Sequence, residues 1–372
     1  MTGNELLGIL FANTHDSLIH DMTQHRAMGS VPFGGRYRMI DFALSNLVNA
    51  GASKVGVVTN EHYSSLMDHL GSGKPWDLSR KIGGLYLLPP FGSASKLYGS
   101  RHFGGLQGNM EFIDRSSQAY VAMCDADVAL NLDMQELIDR HEESGADITM
   151  VCRRGPCPMG KDDMLIVKKG RAGRVSEIRI APAAGEDCLY ALDIFLLRRE
   201  LLLNLLRDAI ARGCESFSRD ILMRGVKELR IYAHEHKGFT AVIDGMATYL
   251  GANMALLDKA NRDSLFDPAR PVFTKIYDEV PATYGLSAVV SQTLVADGCH
   301  IEGDVRRSVL FRGVSVGKGA SVQGCVLMPG TTVGEGVRLE NVVTDKNVHI
   351  RPGRTLIGYE TYPVFIAKGV TV

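Results

Sequence analysis

Short apolar runs alternate with longer amphipathic stretches through the first 150 residues. Leu6 to Phe11, Val55 to Thr59, Tyr120 to Cys124 and Ile148 to Val151 each have strand length, with helical spacing between them. This rhythm predicts βαβ units and a mainly parallel sheet, an α/β domain of dinucleotide-binding type. Such sheets bind ligands beyond the carboxyl ends of their strands. The chemistry is therefore expected just after Phe11 and just after Cys124. A helical stretch from Met246 to Leu257 precedes Phe266 to Tyr284, a Pro- and Tyr-containing segment with turn signals and little periodicity. We take residues 1–245 as the first domain and 246–284 as a connector.

Residues 285–372 have a different period. Cut every seventeen residues, the chain reads RRSVLFRGVSVGKGASV, QGCVLMPGTTVGEGVRL and ENVVTDKNVHIRPGRTL. Val309, Val326 and Val343 align, as do Val316, Val333 and Ile350, and Val322, Leu339 and Leu356. The six-residue step between aliphatics is the hexapeptide pattern of a left-handed parallel β-helix, whose coils bury their apolar edges only by stacking. Gly319, Gly336 and Gly353 mark one corner. Gly313 and Gly330 mark another, matched by Asn347, the non-glycine type that best tolerates a left-handed backbone. A weaker coil around Val289 to Val305 precedes these. The open end coils predict packing against another domain or subunit. His300 and His349 lie in this region without a recognisable acyltransferase motif, and are read as surface residues.

Composition narrows the classes. The 372 residues carry a formal net charge of -1, so no global field favours nucleic acid or an anionic membrane, and any anion site must be local. The N-terminus lacks a basic, then apolar, leader pattern, and no run approaches the roughly 18 apolar residues of a membrane span. A cytoplasmic protein is expected. The seven cysteines are scattered without a Cys-x-x-Cys pair, which predicts reduced thiols rather than disulfides or zinc. His234-x-His236 has no carboxylate or cysteine at matching spacing for a metal.

The segment VPFGGRYRMIDFALSNLVNAG, Val31 to Gly51, resembles the signature of bacterial glucose-1-phosphate adenylyltransferases, also called ADP-glucose pyrophosphorylases. GKPWDL (Gly73 to Leu78), LPP (Leu88 to Pro90) and FTKIYDEVPATYG extend the resemblance over nearly the whole chain. It implies a nucleotidyltransferase domain, a left-handed β-helix and a tetrameric assembly. It also implies Mg2+ in the complex, bound only weakly by this chain.

The family's catalytic parts are the ones missing. Adenylyl transfer from ATP to glucose 1-phosphate must neutralise several phosphate charges with backbone amides, basic side chains and Mg2+. In ungapped register, the glycine-rich loop falls on Asn13, Thr14, His15 and Asp16, the loop arginine on Leu18 and the following lysine on Met28. The nucleotide-reading Gly-Thr-Ala falls on Arg101-His102-Phe103, with Gly104, Gly105 and Gly108 nearby as a conceivable anion loop. The metal-binding aspartate falls on Asp127, which survives as a vestigial position; capping of the next helix by Asp125 and Asp127 is the structural alternative. The second metal aspartate falls near Val242, two places from Asp244. The sugar-phosphate motif Glu-Lys-Pro falls on Ile180-Ala181-Pro182, and Ser-Met-Gly near Leu189-Tyr190-Ala191.

Scaffold motifs that persist while every catalytic element erodes match the GlgD-type regulatory subunit. The resemblance implies a catalytic glucose-1-phosphate adenylyltransferase partner in a hetero-oligomer serving glycogen biosynthesis. Arg26, Arg36 and Arg38 are candidate sites for a small anionic effector, and no confident catalytic residue is assigned. Two alternatives are an active enzyme using Asp127 with Arg26, Arg36 or Arg101 as substitute cations, and an interaction protein that docks through its β-helix and binds no nucleotide.

Overall fold

A computed structural model describes residues 5–89, 101–158, 160–161, 163–180 and 187–372. Its first layer is one sheet in the order Val175–Ile180, Leu165–Lys169, Asp187–Arg198, Tyr120–Asp125, Leu6–Phe11, Lys54–Val58, Gly84–Leu88. The last four of these strands run parallel to one another. Asp187–Arg198 is antiparallel to Tyr120–Asp125, and also pairs with Ile148–Pro156, which in turn carries Ile231–Glu235.

The central strands are apolar throughout because both their faces are covered. Leu6 and Leu10 pack with Leu44 and Leu47 of the helix Met39–Asn49 and with Leu137 of the helix Met134–Ser144. Leu7, Ile9 and Phe11 face the other way, onto Phe103 and Leu106 of Arg101–Gly108 and Leu202 and Leu206 of Arg199–Ala211. Gly8 permits close approach of the first helix: a Cβ there would lie 2.6 Å from Leu47 Cδ1.

Beyond the sheet, the helix Met246–Ala255 is followed by a second, Lys259–Leu265, whose first turn is capped by Asp258 accepting from Ala260 N. The rest of the connector is strapped to Met39–Asn49: Phe273 N donates to Ser45 Oγ at 2.8 Å and Asn49 Nδ2 to Pro271 O at 3.1 Å.

The C-terminal part forms three parallel five-stranded sheets wound as the left-handed β-helix. The seventeen-residue register holds strand by strand. Val309 pairs with Val326 and Val326 with Val343; Val316 with Val333 and Val333 with Ile350; Val322 with Leu339 and Leu339 with Leu356. Gly313, Gly330 and Asn347 have φ of 66, 73 and 57°, so asparagine does take the left-handed corner. The weaker coil joins through Val290 and Val305, paired in the same sheet as Val322.

One aligned column does not face the coil interior. Leu310 and Leu327 fill it, with Val316, Val333, Val322 and Leu339 at successive six-residue steps. Val309, Val326 and Val343 point outward and, with Phe311 and Met328, meet Phe33, Met39, Phe42 and Tyr249 of the first domain. Adjacent strand residues point to opposite faces, so a two-sided apolar strand serves two cores.

This seam encloses an ion pair. Arg26 Nη2 lies 2.7 Å from both carboxylate oxygens of Asp345, and both side chains are buried. Asp345→Ala strands the guanidinium inside the seam and should cost about 3–5 kcal/mol. The double variant with Arg26→Met should recover part of that loss, as read by urea unfolding.

Candidate functional site

The turn after the first strand is closed by its own side chains. Asn13 Nδ2 donates to Asp16 Oδ2 at 2.7 Å and to Glu61 O at 3.0 Å, while its Oδ1 accepts from Asn60 N at 2.9 Å. Asp16 Oδ1 accepts from Met28 N at 2.7 Å. The Asn13 amide and the Asp16 carboxylate thus bond to each other and to the N–H groups of Asn60 and Met28, and Asp16 N within the turn donates to Asn13 O. Burial pushes the Asp16 carboxyl up to about 6, against the lowering effect of the Asn13 and Met28 hydrogen bonds. Met28 is buried among apolar side chains of the seam.

His15, from the same turn, points under the sheet end. Its Nδ1 is 2.8 Å from Asp127 Oδ2 and 3.6 Å from Asp125 Oδ2. Asp125 ends the strand Tyr120–Asp125 and Asp127 follows two residues later, leading into Val128–Leu130, so both carboxyls reach the same space. His102, on the helix Arg101–Gly108, donates from Nε2 to Asp125 Oδ1 at 2.5 Å. Lys161 closes the cluster, its Nζ 2.6 Å from Asp127 Oδ2 and 3.1 Å from Asp193 Oδ2.

Asp193 interrupts the strand Asp187–Arg198 at a bulge between Ala191 and Phe195, in a left-handed conformation at φ 53°. Asp127 is 0% exposed and Lys161 2%. Burial opposes charge on Asp127, yet the Lys161 and His15 contacts outweigh it and hold the carboxyl well below its ordinary range. Burial likewise opposes the Lys161 ammonium, and the charges of Asp127, Asp193 and Asp125 together hold it above its ordinary value. For His102, Asp125 outweighs burial and raises the imidazole.

Several expected residues lie elsewhere. Asp125 and Asp127 do not cap the next helix; Asp133 does, accepting from Glu136 N at 2.9 Å. Gly104, Gly105 and Gly108 form no anion loop. They sit in a helix packed so closely that a Cβ on Gly105 would lie 3.0 Å from Val58. Asp244 stays outside the cluster and accepts from Gly160 N at 3.0 Å. Pro90, Ala181, Pro182 and the Arg101 side chain lie outside the described residues.

The three candidate arginines separate. Arg26 is consumed by Asp345, and Arg38 Nη1 donates to Ser65 O at 2.7 Å. Arg36 is exposed at a cleft between the domains, of about 350 Å³, also lined by Arg38, Arg312, Lys346, Tyr277 and Glu279. Arg312 lies 4.6 Å from the Tyr277 ring centre, and its buried Nε and Nη2 hydrogen-bond to no described group. Burial, with Arg38 and Arg26 adding to it, pulls the Lys346 ammonium down to about 7.

Comparison with known proteins fits this two-part architecture. The nucleotidyl transferase family matches residues 16–228, and the C-terminal hexapeptide family of GlmU-like proteins matches 279–362. The glycogen biosynthesis protein GlgD of Bacillus subtilis (strain 168) is 32% identical over 370 residues, covering 100% of this chain and 98% of that protein. The chain belongs to the GlgD branch of the nucleotidyl transferase family. GlgD of Geobacillus stearothermophilus is 34% identical over 86% of this chain and 83% of its own length. A glucose-1-phosphate adenylyltransferase of Acetivibrio thermocellus is 30% identical over 100% of this chain and 89% of its own length.

Nucleotidyl transferases commonly use Mg2+, and in this chain His15, Asp125 and Asp193 offer ligand atoms within 4.8 Å of one another. The fit is poor at Asp127, whose Oδ2 already contacts an ammonium and an imidazole. Sequence reasoning had passed over His15 as a lost loop glycine and His102 as a lost nucleotide contact. It missed Lys161 and Asp193 altogether. Asp193 carried a readable signal, a lone carboxylate inside the apolar run LYALDIFLL. Lys161, in a polar stretch, carried none.

The Asp16 carboxyl titrates higher in the fold, about 6, than its unfolded value of about 4. Its folded form therefore holds the extra proton between those values, and its contribution to stability falls as pH rises through that window. Relative to Asp16→Asn, the wild type should lose about 2 kcal/mol between pH 4 and 6 and stay level above. Urea midpoints across that range check it.

Proposed function

We propose that this chain is a regulatory subunit of a glucose-1-phosphate adenylyltransferase complex in glycogen biosynthesis, with negligible turnover of its own. The complex converts ATP and glucose 1-phosphate to ADP-glucose and diphosphate. The supporting observation is the state of the nucleotide turn: Asn13 and Asp16 bond to each other and to Asn60 N and Met28 N, and Asp16 brings an acid to the position where a triphosphate needs amides and cations. Losing one charge-assisted contact typically costs about 1.5–3 kcal/mol, and about 1.4 kcal/mol is tenfold in rate, so several losses together abolish turnover.

The seam cleft suits a different role. Arg36, Arg38, Arg312 and Lys346 face one cavity with Glu279 as the acid among its lining residues, which favours a small anionic effector. Both domains line it, so an anion bound there would couple their relative placement. The partner is a catalytic adenylyltransferase subunit, in a cytoplasmic hetero-oligomer of tetrameric size. The exposed Leu286 and Tyr284, beside the open first coil, offer an apolar patch for assembly. No helix among the described residues is long and apolar enough to cross a membrane.

Purified alone with ATP, glucose 1-phosphate and Mg2+, the chain should form no ADP-glucose above an Asp127→Ala control. Mixed with a catalytic homologue, it should change that enzyme's rate or effector response. Robust turnover alone that is lost in Asp127→Ala would overturn the reading. For the cleft, Lys346 gains charge as pH falls below about 7. Sulfate should therefore bind more tightly at pH 6 than at pH 8 by calorimetry. Lys346→Met should remove that pH dependence, and Arg312→Ala should weaken binding about tenfold or more.

A further inference from the structure

The buried cluster beneath the nucleotide turn presents a problem of charge. Asp125, Asp127 and Asp193 converge with almost no solvent, and buried carboxylates must be neutralised by protonation, by metal or by internal cations. We propose that Lys161 is the resident cation of this site: its ammonium takes the place a divalent metal would need, so that the chain binds no metal at Asp127.

Three observations carry the assignment. The ammonium lies 2.6 Å from Asp127 and 3.1 Å from Asp193, bridging a carboxylate from the turn after Tyr120–Asp125 and one from the bulge of Asp187–Arg198 as a shared ion would. Mg2+ requires oxygens at about 2.0–2.1 Å with little tolerance, and it cannot approach Asp127 Oδ2 so closely while an ammonium and the His15 imidazole already touch that atom. Asp127 Oδ1 and Asp125 Oδ2 are buried and accept a hydrogen bond from no described group, so removing the ammonium would leave carboxylate oxygens that only another cation could satisfy.

The lysine is also held in place by its own segment. Gly160 N donates to Asp244 Oδ2 at 3.0 Å, and a Cβ on Gly160 would fall 2.2 Å from Asp244 O. Glycine at that point lets the chain press against Asp244 and deliver Lys161 into the interior. Asp244 thus acts as a positioning residue for the lysine rather than as a metal ligand.

The inference rests on reading this pocket as the metal position of the family, and Mn2+ is the probe, since it shares the oxygen preference and octahedral geometry of Mg2+ and is visible by electron paramagnetic resonance. The wild type is expected to show no Mn2+ binding that depends on Asp127. Lys161→Ala should bind one Mn2+ at least tenfold more tightly than wild type, with its melting midpoint rising on the order of 5 °C when Mn2+ is about 100-fold above its dissociation constant. Asp127→Asn in the Lys161→Ala background should abolish both effects. Lys161→Met, which keeps the stem volume and drops the charge, provides a second variant should the smaller side chain prevent folding. Two results would overturn the proposal: Mn2+ binding by wild type that disappears in Asp127→Asn, or no gain of binding in either Lys161 variant. Neither readout uses turnover. Metal binding by an inactive wild type would therefore sink this inference and leave the regulatory reading intact.

Discussion

Asp127 is a carboxylate with no exposed surface in the turn just past a central strand, and its charge has to be met from inside the protein. The surrounding structure is arranged around that requirement. His15 turns inward from the first loop, Lys161 enters from the segment before Leu165–Lys169, and Asp193 leaves its strand at a strained bulge to hold the far side of the ammonium. Once those side chains are committed, the loop above has no cation to offer a phosphate. It instead closes on Asn13 and Asp16. Protein groups, Lys161 and His15, thus meet the Asp127 charge.

The second organising contact is the seam between the domains. An isolated coil of the β-helix buries its interior residues by stacking, but the outer column Val309, Val326 and Val343 would remain wet without Phe33, Phe42 and Tyr249. Burying large aliphatic and aromatic side chains is worth about 1.5–3 kcal/mol each. That apolar contact brings Arg26 to Asp345 and gathers Arg36, Arg38, Arg312 and Lys346 around one cleft. The same seam thus binds the domains together and concentrates like charge at its edge. A cationic cleft at a domain boundary suits regulation better than chemistry, because an anion there alters how two bodies sit without needing a reacting group.

Much of the architecture was legible in the sequence because it rests on short-range periodicity. Strand-length apolar runs marked three of the four neighbouring parallel strands, missing Gly84–Leu88, while the fourth run, from Ile148, lies on a strand antiparallel to Asp187–Arg198; the seventeen-residue repeat matched every strand pairing of the three aligned coils. The corner glycines, with Asn347 in their place, followed from backbone sterics alone. The erosion of the family's loop was equally plain, since an absent glycine or lysine needs no coordinates to be noticed.

Contacts between residues distant along the chain were decided only by tertiary structure. Periodicity aligned Val309, Val326 and Val343 but could not say that they face the other domain, because an outward apolar column and an inward one have the same repeat. Arg26 read as a free cation until Asp345, more than three hundred residues later, met it in the seam. Lys161 lies in a polar stretch, and only the fold shows it buried among Asp125 at a strand end, Asp127 in the turn that follows and Asp193 at a bulge. The sequence by itself determined which backbone could form and where residue types depart from the family's motifs. Which charges neutralise one another depends on long-range packing, because a Coulomb interaction is set by distance and burial in space, and neither is written in the order of residues.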